Sequence, residues 1–255
     1  MPTPTRALKR RTSYWEASRA HRYSLLFALP LLLLYEALAA VLAHDPSVGG
    51  VRNGADVLLK SLFVATAGHR GPLLFMTVVV GVSIWLVWRD LRANGGRLQS
   101  WIFGGMVLEA AALSVVLGVI VGALTVRILG PLGALAAGGD IDTMGWPARL
   151  MLSLGAGLYE ELLFRVALVS ALANGARMAL GWGRGTAGAV ATILGALIFS
   201  AFHYIGPFGE DWALQSFTFR AIAGVMFSAL YLTRGFGITA WTHAMYDVLV
   251  LMVWA

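Results

Sequence analysis

The fold is decided by one stretch, LYEELLFR at residues 158–165. It lies inside an apolar run from about Trp146 to Leu172, which is long enough to span a bilayer. Ionisable groups at membrane depth cost several kcal/mol each, so they persist where they are paired and useful. A membrane helix with two adjacent carboxylates and an arginine therefore predicts a polar cluster inside a helix bundle.

The spacing within this stretch gives its two carboxylates different surroundings. In a helix, Glu161 and Arg165 are four residues apart and can form an ion pair. Glu160 points about 100° away from Glu161 and is free to face another neighbour. One carboxylate is then neutralised and the other is available, as in the usual arrangement for a general base. A structural salt bridge between packed membrane helices explains the same residues equally well.

The composition indicates a polytopic membrane protein. Of 255 residues, 58% are hydrophobic and only 13% are charged, with a mean hydropathy of +0.75. Soluble domains carry roughly 25% charged residues. The net charge is +6, but six basic residues precede the first apolar run, which favours a cytoplasmic anchor near anionic lipid and no nucleic-acid partner. Cysteine is absent, which excludes a disulfide framework, a thiolate nucleophile and a cysteine metal site.

Hydropathy predicts an all-α bundle of about seven transmembrane helices, within a range of six to eight. The predicted spans are 24–43, 72–88, 103–126, 147–172, 186–205, 213–233 and 236–255. Glu36 lies in the first span, where it needs a partner or an interfacial position, and Glu109 lies in the third. Residues 44–72 are expected to form a polar connection with a short amphipathic piece at 57–67. Residues 127–147 are Gly-rich and are expected to form a loop.

The distribution of basic residues predicts the orientation. With the N-terminus inside, twelve of the nineteen Lys and Arg residues fall in cytoplasmic segments and five fall outside. We expect an integral multi-pass protein of the plasma (inner) membrane with a cytoplasmic N-terminus.

Spans four, five and seven each carry titratable side chains on otherwise apolar helices. His203 follows Phe199 by four residues and Asp247 follows His243 by four, so each pair shares a helix face. Burying these groups is expensive unless they converge on one cluster or a wet cavity. A glutamate beside a histidine can take a proton from water and deliver it to a leaving amine. A second histidine with a hydrogen-bonding neighbour can stabilise an oxyanion.

The same side chains allow a metal site instead. Two imidazoles and one carboxylate, His203, His243 and Glu160, would form a zinc set with an open water position. Straight antiparallel helices with the predicted boundaries would also leave the two histidines about 10 Å apart in depth.

Three motifs in chain order resemble those of a known protease family. They are Glu160-Glu161-x-x-x-Arg165, Phe199-x-x-x-His203 and His243-x-x-x-Asp247. The sequence is similar to the CAAX-protease and bacteriocin-processing (ABI) family, the type II CAAX prenyl endopeptidases, which are glutamic intramembrane proteases. The resemblance covers about residues 147–255. Charge, hydropathy and this resemblance together divide the chain into three parts: a cytoplasmic basic segment at 1–23, N-terminal transmembrane helices at 24–146 and a protease core at 147–255.

The resemblance implies a role for each motif residue. Glu160 with His203 would activate the attacking water. His243 and Asp247 would hold the scissile carbonyl and its oxyanion. The supporting positions are Glu161, Arg165 and Phe199.

Asp247 departs from the family pattern, where this position is often Asn. An ionised Asp cannot donate to an oxyanion, so Asp247 must be protonated, orient His243 or ligate a metal. We expect no catalytic metal or other cofactor, with zinc as the alternative. On this view Asp247 accepts a hydrogen bond from His243 and fixes its tautomer.

The expected function is an intramembrane endopeptidase that hydrolyses membrane-associated protein or peptide substrates in the lipid bilayer. Two alternatives stay open. A proton-coupled transporter could use the same Glu and His residues as a relay. A catalytically idle family member could act as an immunity or scaffold protein.

Overall fold

The computed structural model describes residues 13–45, 50–94, 97–135, 144–206 and 209–254. The first twelve residues of the predicted basic segment 1–23 lie outside this described part, as does residue 255 of the predicted core. The described residues form helices and no strands. The helices are α1 (Tyr14–Arg19), α2 (His21–Leu42), α3 (Gly54–Ala67), α4 (Gly71–Asn94), α5 (Ser100–Leu135), α6 (Trp146–Gly155), a π-helical segment (Ala156–Val169), α7 (Ser170–Leu180), α8 (Arg184–Phe202), α9 (Leu214–Arg234) and α10 (Phe236–Trp254).

Within the described part, six helical stretches are long and apolar enough to cross a membrane by length and composition. They are His21–Leu42, Gly54–Asn94, Ser100–Pro131, Trp146–Leu180, Arg184–Phe202 and Leu214–Arg234. The 19-residue helix α10 packs among them. The predicted all-α, polytopic bundle of about seven spans is confirmed.

Helices α3 and α4 form a hairpin, which refines the predicted polar connection. α3 has 14 residues, so it is about 21 Å long and too short for a hydrocarbon core of about 30 Å. A 3-10 turn at Gly68–Arg70 reverses the chain, and Gly68 adopts a φ of 58°. A Cβ on Gly71 would collide with the backbone of Val64, so the turn requires glycine there.

Two helices extend further than apolarity predicts. α5 runs to Leu135 across a kink at Gly130, so part of the predicted loop 127–147 is helical. The fourth span continues from Trp146 to Leu180 through α6, the π-helical segment and α7. Gly and Pro at the end of α5 and polar residues such as Asn174 and Arg177 in α7 weaken the sequence signal there, although they do not end the helices.

The π-helical segment positions the decisive stretch of sequence. It covers 14 residues, and Ser170 N–H donates to the carbonyl of Arg165 five residues earlier. π-helical geometry is rare and is found mostly at functional sites. The segment packs on α10, where a Cβ on Gly157 would collide with the carbonyl of Ala240 and lie 2.7 Å from the Cβ of Ala244. Glycine at 157 therefore allows the close approach that brings α10 against the two glutamates.

Both acidic residues predicted within the first and third spans have partners. Glu36 accepts from Arg52 Nη2 at 2.7 Å and from Lys60 Nζ at 2.8 Å. Glu109 accepts from Arg234 Nε at 2.5 Å. Burial acts to lower the pKa of Arg52, but hydrogen bonds to Asp56 and Glu36 outweigh it and raise this pKa above its ordinary value. Arg52 is therefore a permanent cation in the connection before α3.

Candidate active site

The two adjacent glutamates face different neighbours, as their spacing predicts. Both are buried: Glu160 is 8% exposed and Glu161 is fully buried. Glu160 Oε1 accepts a 2.8 Å hydrogen bond from Nδ2 of Asn53, at the N-terminus of α3. Glu161 Oε1 lies 2.7 Å from Nδ1 of His243 on α10. The π-helical segment thus presents one carboxylate to the N-terminal half of the chain and the other to the last helix.

The predicted ion pair between Glu161 and Arg165 is confirmed. Nη1 of Arg165 lies 3.2 Å from the same Oε1 that contacts His243. The contact is an ion pair without a hydrogen bond: Nε, Nη1 and Nη2 of Arg165 have no hydrogen-bond partner among the described residues. The guanidinium instead lies over aromatic faces, 4.5 Å from the ring centre of Phe199 and 5.7 Å from that of Phe227. Its charge is held by one carboxylate and two rings.

His203 folds back onto the end of its own helix. Its Nδ1 lies 2.9 Å from the carbonyl oxygen of Phe199. A carbonyl only accepts, so Nδ1 carries the proton and the lone pair of the neutral ring is on Nε2. That nitrogen is the one that can take a proton.

Phe199 lies close to both histidines. The ring centre of Phe199 is 5.0 Å from that of His203 and 6.3 Å from that of His243. The backward fold of the His203 side chain brings its ring towards the preceding turn of α8. The expected offset of about 10 Å in depth between the two histidines stays a prediction.

The prediction of a hydrogen bond from His243 to Asp247 is wrong. Asp247 Oδ1 lies 3.7 Å from Nε2 of His243, which is too long for a hydrogen bond. Glu161 fixes the tautomer of His243 instead, because its carboxylate accepts a hydrogen bond from Nδ1–H on the other side of the ring. The ring of His243 also stacks on Phe227, with centroids 4.2 Å apart and planes 20° apart. The imidazole is thus fixed by a glutamate and a phenylalanine, while the Asp247 side chain is 27% exposed.

The titratable residues of the three motifs form one electrostatic cluster. The carboxylate of Glu160 interacts electrostatically with His203, His243 and Arg165. Asp247 interacts with His243 and with both glutamates. All the motif residues named in the sequence analysis thus lie together at the meeting point of the π-helical segment, α8 and α10.

Sequence reasoning missed two neighbours of this cluster. Asn53 binds Glu160 although 107 residues separate them. The NGAD stretch at 53–56 carries an N-cap signal, which indicates a helix start but not a partner. Phe227 stacks on His243 from α9, and nothing in an apolar helix distinguishes this phenylalanine from its neighbours.

The donors of the alternative zinc site, His203, His243 and Glu160, each already have a partner. In the part of the chain that the structure describes, no group of three His, Cys, Asp or Glu side chains is arranged to hold a metal ion. Each histidine also already engages Nδ1, His203 with a carbonyl and His243 with Glu161. Of the two imidazoles, only the Nε2 atoms are left as metal donors.

Comparison with known proteins agrees with the motif resemblance. Residues 142–249 match the model of a family described as type II CAAX prenyl endopeptidase Rce1-like. No significant match is found among curated proteins or among solved structures. The match includes all three motifs and therefore supports a CAAX-type membrane protease at the family level. The resemblance to the CAAX-protease family is thus confirmed over residues 142–249.

Proposed function

We propose that this protein is an intramembrane endopeptidase in which Glu160 activates the attacking water. One observation carries the proposal: Glu160 is buried, one of its oxygens is held by Asn53, and it interacts electrostatically with two histidines from other helices. A buried carboxylate is costly, and a structural role would favour a tight ion pair. In this site the direct pairing with arginine belongs to Glu161 instead.

In the proposed reaction, a water lies between Glu160 and His203. Glu160 Oε2 accepts a proton from this water as the water oxygen attacks the scissile carbonyl carbon. Nε2 of His203 accepts a hydrogen bond from the other hydrogen of this water, because its Nδ1 already donates to the Phe199 carbonyl. The new C–O bond gives a tetrahedral intermediate with a negative oxygen. When the C–N bond breaks, the transferred proton passes to the leaving amine.

His243 is the group proposed to stabilise the oxyanion. Its Nδ1 donates to Glu161, so Nε2 is the nitrogen available to substrate. An imidazolium at this position donates from Nε2 while the Glu161 carboxylate balances its charge. Asp247 lies 3.7 Å from the same nitrogen and either donates as a carboxylic acid or orients the imidazolium.

We further propose that hydrolysis needs no catalytic metal. The water-activation scheme assigns a proton acceptor, an oxyanion donor and a charge partner from the chain itself. Zinc held by His203, His243 and Glu160 is the competing scheme. It would supply a water of lowered pKa, bound in an open position of the ion.

The substrate is proposed to be a membrane-associated protein or peptide, and the N-terminus to be cytoplasmic in the plasma (inner) membrane. Six stretches of membrane-spanning length and the protease family support the membrane setting. The excess of basic residues in the segments assigned to the cytoplasm supports the orientation. A single cysteine placed at exposed Arg92 tests it cleanly, since the chain has no other cysteine. Labelling by an impermeant reagent from outside intact cells would contradict the orientation.

The experiment for the function uses purified protein and a fluorogenic peptide that ends in a farnesylated CAAX sequence. Glu160→Gln keeps the size of the side chain and an acceptor for Asn53 but removes the base. We expect kcat to fall at least about 100-fold, with the melting temperature in detergent unchanged. Wild-type kcat in Glu160→Gln would overturn the proposal.

A further inference from the structure

We propose that Asn53 is a positioning residue of the active site, which orients Glu160 from the N-terminus of α3. The inference rests on the proposed function and extends it to a helix outside the family match at 142–249. The polar connection that precedes the protease core would then complete the catalytic machinery.

The orientation of the Asn53 amide is fixed by its own backbone. Its Oδ1 accepts from the N–H of Ala55 at 2.9 Å and from that of Asp56 at 3.4 Å, which makes Asn53 the N-cap of α3. The amide nitrogen must therefore point away from the helix. It donates to Glu160 Oε1 at 2.8 Å. An ionised carboxylate has no donor of its own, so Asn53 must be the donor of this bond.

The backbone of Asn53 is held as firmly as its side chain. Its N–H donates to the hydroxyl of Tyr35 at 3.2 Å, and this hydroxyl donates to Asp56 at 2.8 Å. Tyr35 and Asp56 are both fully buried. Asn53 itself is 6% exposed, and hydrogen bonds hold its backbone N–H, its Oδ1 and its Nδ2.

The start of α3 is wedged between two helices of the site. A Cβ on Gly155, one residue before the π-helical segment, would lie 2.8 Å from the Cβ of Asn53. A Cβ on Gly54 would lie 3.3 Å from the ring of Phe202, next to His203. The N-terminus of α3 therefore packs against both the fourth span, which carries Glu160, and α8, which ends next to His203.

This geometry gives Asn53 a specific task. Its hydrogen bond engages Oε1 only, which leaves Oε2 to accept the proton of a water. A carboxylate without that anchor is free to rotate about its terminal bond, and a misplacement of about 1 Å can cost on the order of 100-fold in rate. Asn53 is thus expected to act on kcat rather than on substrate affinity.

The chain offers a matched pair of variants. Ser caps a helix as well as Asn does but is too short to reach Glu160, whereas Ala provides neither the cap nor the donor. With the farnesylated CAAX peptide, we expect Asn53→Ser and Asn53→Ala to lower kcat by the same factor, about 10- to 100-fold, with KM within about twofold of wild type. Asn53→Ala should lower the melting temperature further than Asn53→Ser does, because it also removes the helix cap. Wild-type kcat in Asn53→Ser, or rates that follow the melting temperatures, would overturn the inference.

A second measurement needs no substrate and separates this inference from the proposed function. The melting-temperature shift caused by Asn53→Ser is compared in wild type and in Glu160→Ala. We expect a shift of about 2–4 °C in wild type and none in Glu160→Ala, because the partner is already gone. Equal shifts in both backgrounds would overturn the Asn53–Glu160 link. Coupled shifts together with wild-type kcat in Glu160→Gln would keep the Asn53–Glu160 link and contradict the proposed function instead.

Discussion

Two arginines, Arg234 and Arg165, are equally buried in this molecule but differ in their hydrogen bonding. Arg234 is 3% exposed and forms a fully satisfied pair with Glu109, with Nε–Oε1 and Nη2–Oε2 distances of 2.5 and 2.7 Å. Its remaining donors reach Ser18 and the carbonyl of Trp15. Arg165 is 1% exposed, but no nitrogen of its guanidinium makes a hydrogen bond to a described residue. Burial is the same in the two cases, and hydrogen bonding is not.

The difference separates a structural cluster from a candidate site. The Glu109–Arg234 pair joins α5 to α9, and Tyr14 of α1 also donates to Glu109 at 2.6 Å. Every group there stabilises the packing of helices. Glu161 instead divides one oxygen between Arg165 and His243, and its Oε2 has no partner among the described residues. Incomplete satisfaction at membrane depth is costly, so we interpret it as the mark of a site that other molecules enter.

The largest expected effect in this comparison comes from Glu161→Gln. The change leaves Arg165 without a counter-charge in the bundle and weakens the anchor of His243. Breaking a buried pair typically costs about 3–5 kcal/mol, so yield and melting temperature in detergent should both fall, together with activity.

A double variant separates the two roles of Glu161. Glu161→Gln with Arg165→Met removes both charges and should recover much of the stability without restoring activity. Equal losses of stability in Glu161→Gln and Glu160→Gln would contradict the assignment of different roles to the two carboxylates.

A smaller effect, on stability alone, is expected from Glu109→Gln. Glu109 is 17% exposed at its side chain, and Arg234 keeps its bonds to Ser18 and Trp15. We expect a loss of about 1.5–3 kcal/mol, the value of a charged hydrogen bond. Cleavage of the farnesylated peptide per folded molecule should equal that of wild type. A specific loss of kcat in this variant would mean that the satisfied cluster is also part of the active site.

Asp247→Asn is expected to have a weaker effect. The Asp247 side chain makes no short contact with His243, so the tautomer of that histidine does not depend on it. Asn can donate to an oxyanion, and the peptide assay should show kcat within about tenfold of wild type. Complete loss of cleavage with unchanged melting temperature would show that Asp247 supplies a charge or a metal ligand that Asn cannot replace.

The smallest expected effect is that of exhaustive chelation, which should leave activity unchanged. The test combines elemental analysis of purified protein with peptide cleavage before and after chelation. Stoichiometric zinc, with activity lost on chelation and restored by zinc, would contradict the metal-free proposal. It would also assign the free Nε2 atoms of His203 and His243 to the ion.

Sequence predicted the fold because the bilayer constrains it so strongly. A run of about twenty apolar residues has to be a helix when no water can satisfy its backbone, so the presence and approximate places of the spans follow from hydropathy. The Glu161–Arg165 contact followed from helical spacing for the same reason.

The contacts that sequence could not predict are long-range. Asn53 lies 107 residues from Glu160, and His243 lies 82 residues from Glu161. A helix with one histidine and one aspartate at i and i+4 favours pairing within the helix, and this led to the wrong partner for His243. The π-helical winding and the close approach at Gly157 depend on how helices pack, which periodicity does not encode.

The central claim, hydrolysis that depends on Glu160, can be tested most directly without knowing the substrate. Membranes from cells that carry wild type or Glu160→Gln at equal levels are compared by mass spectrometry of protein N-termini. The account predicts a set of new internal N-termini, in or beside transmembrane segments, that is present with wild type and absent with Glu160→Gln. Identical sets of N-termini, with both proteins folded in the membrane, would contradict it.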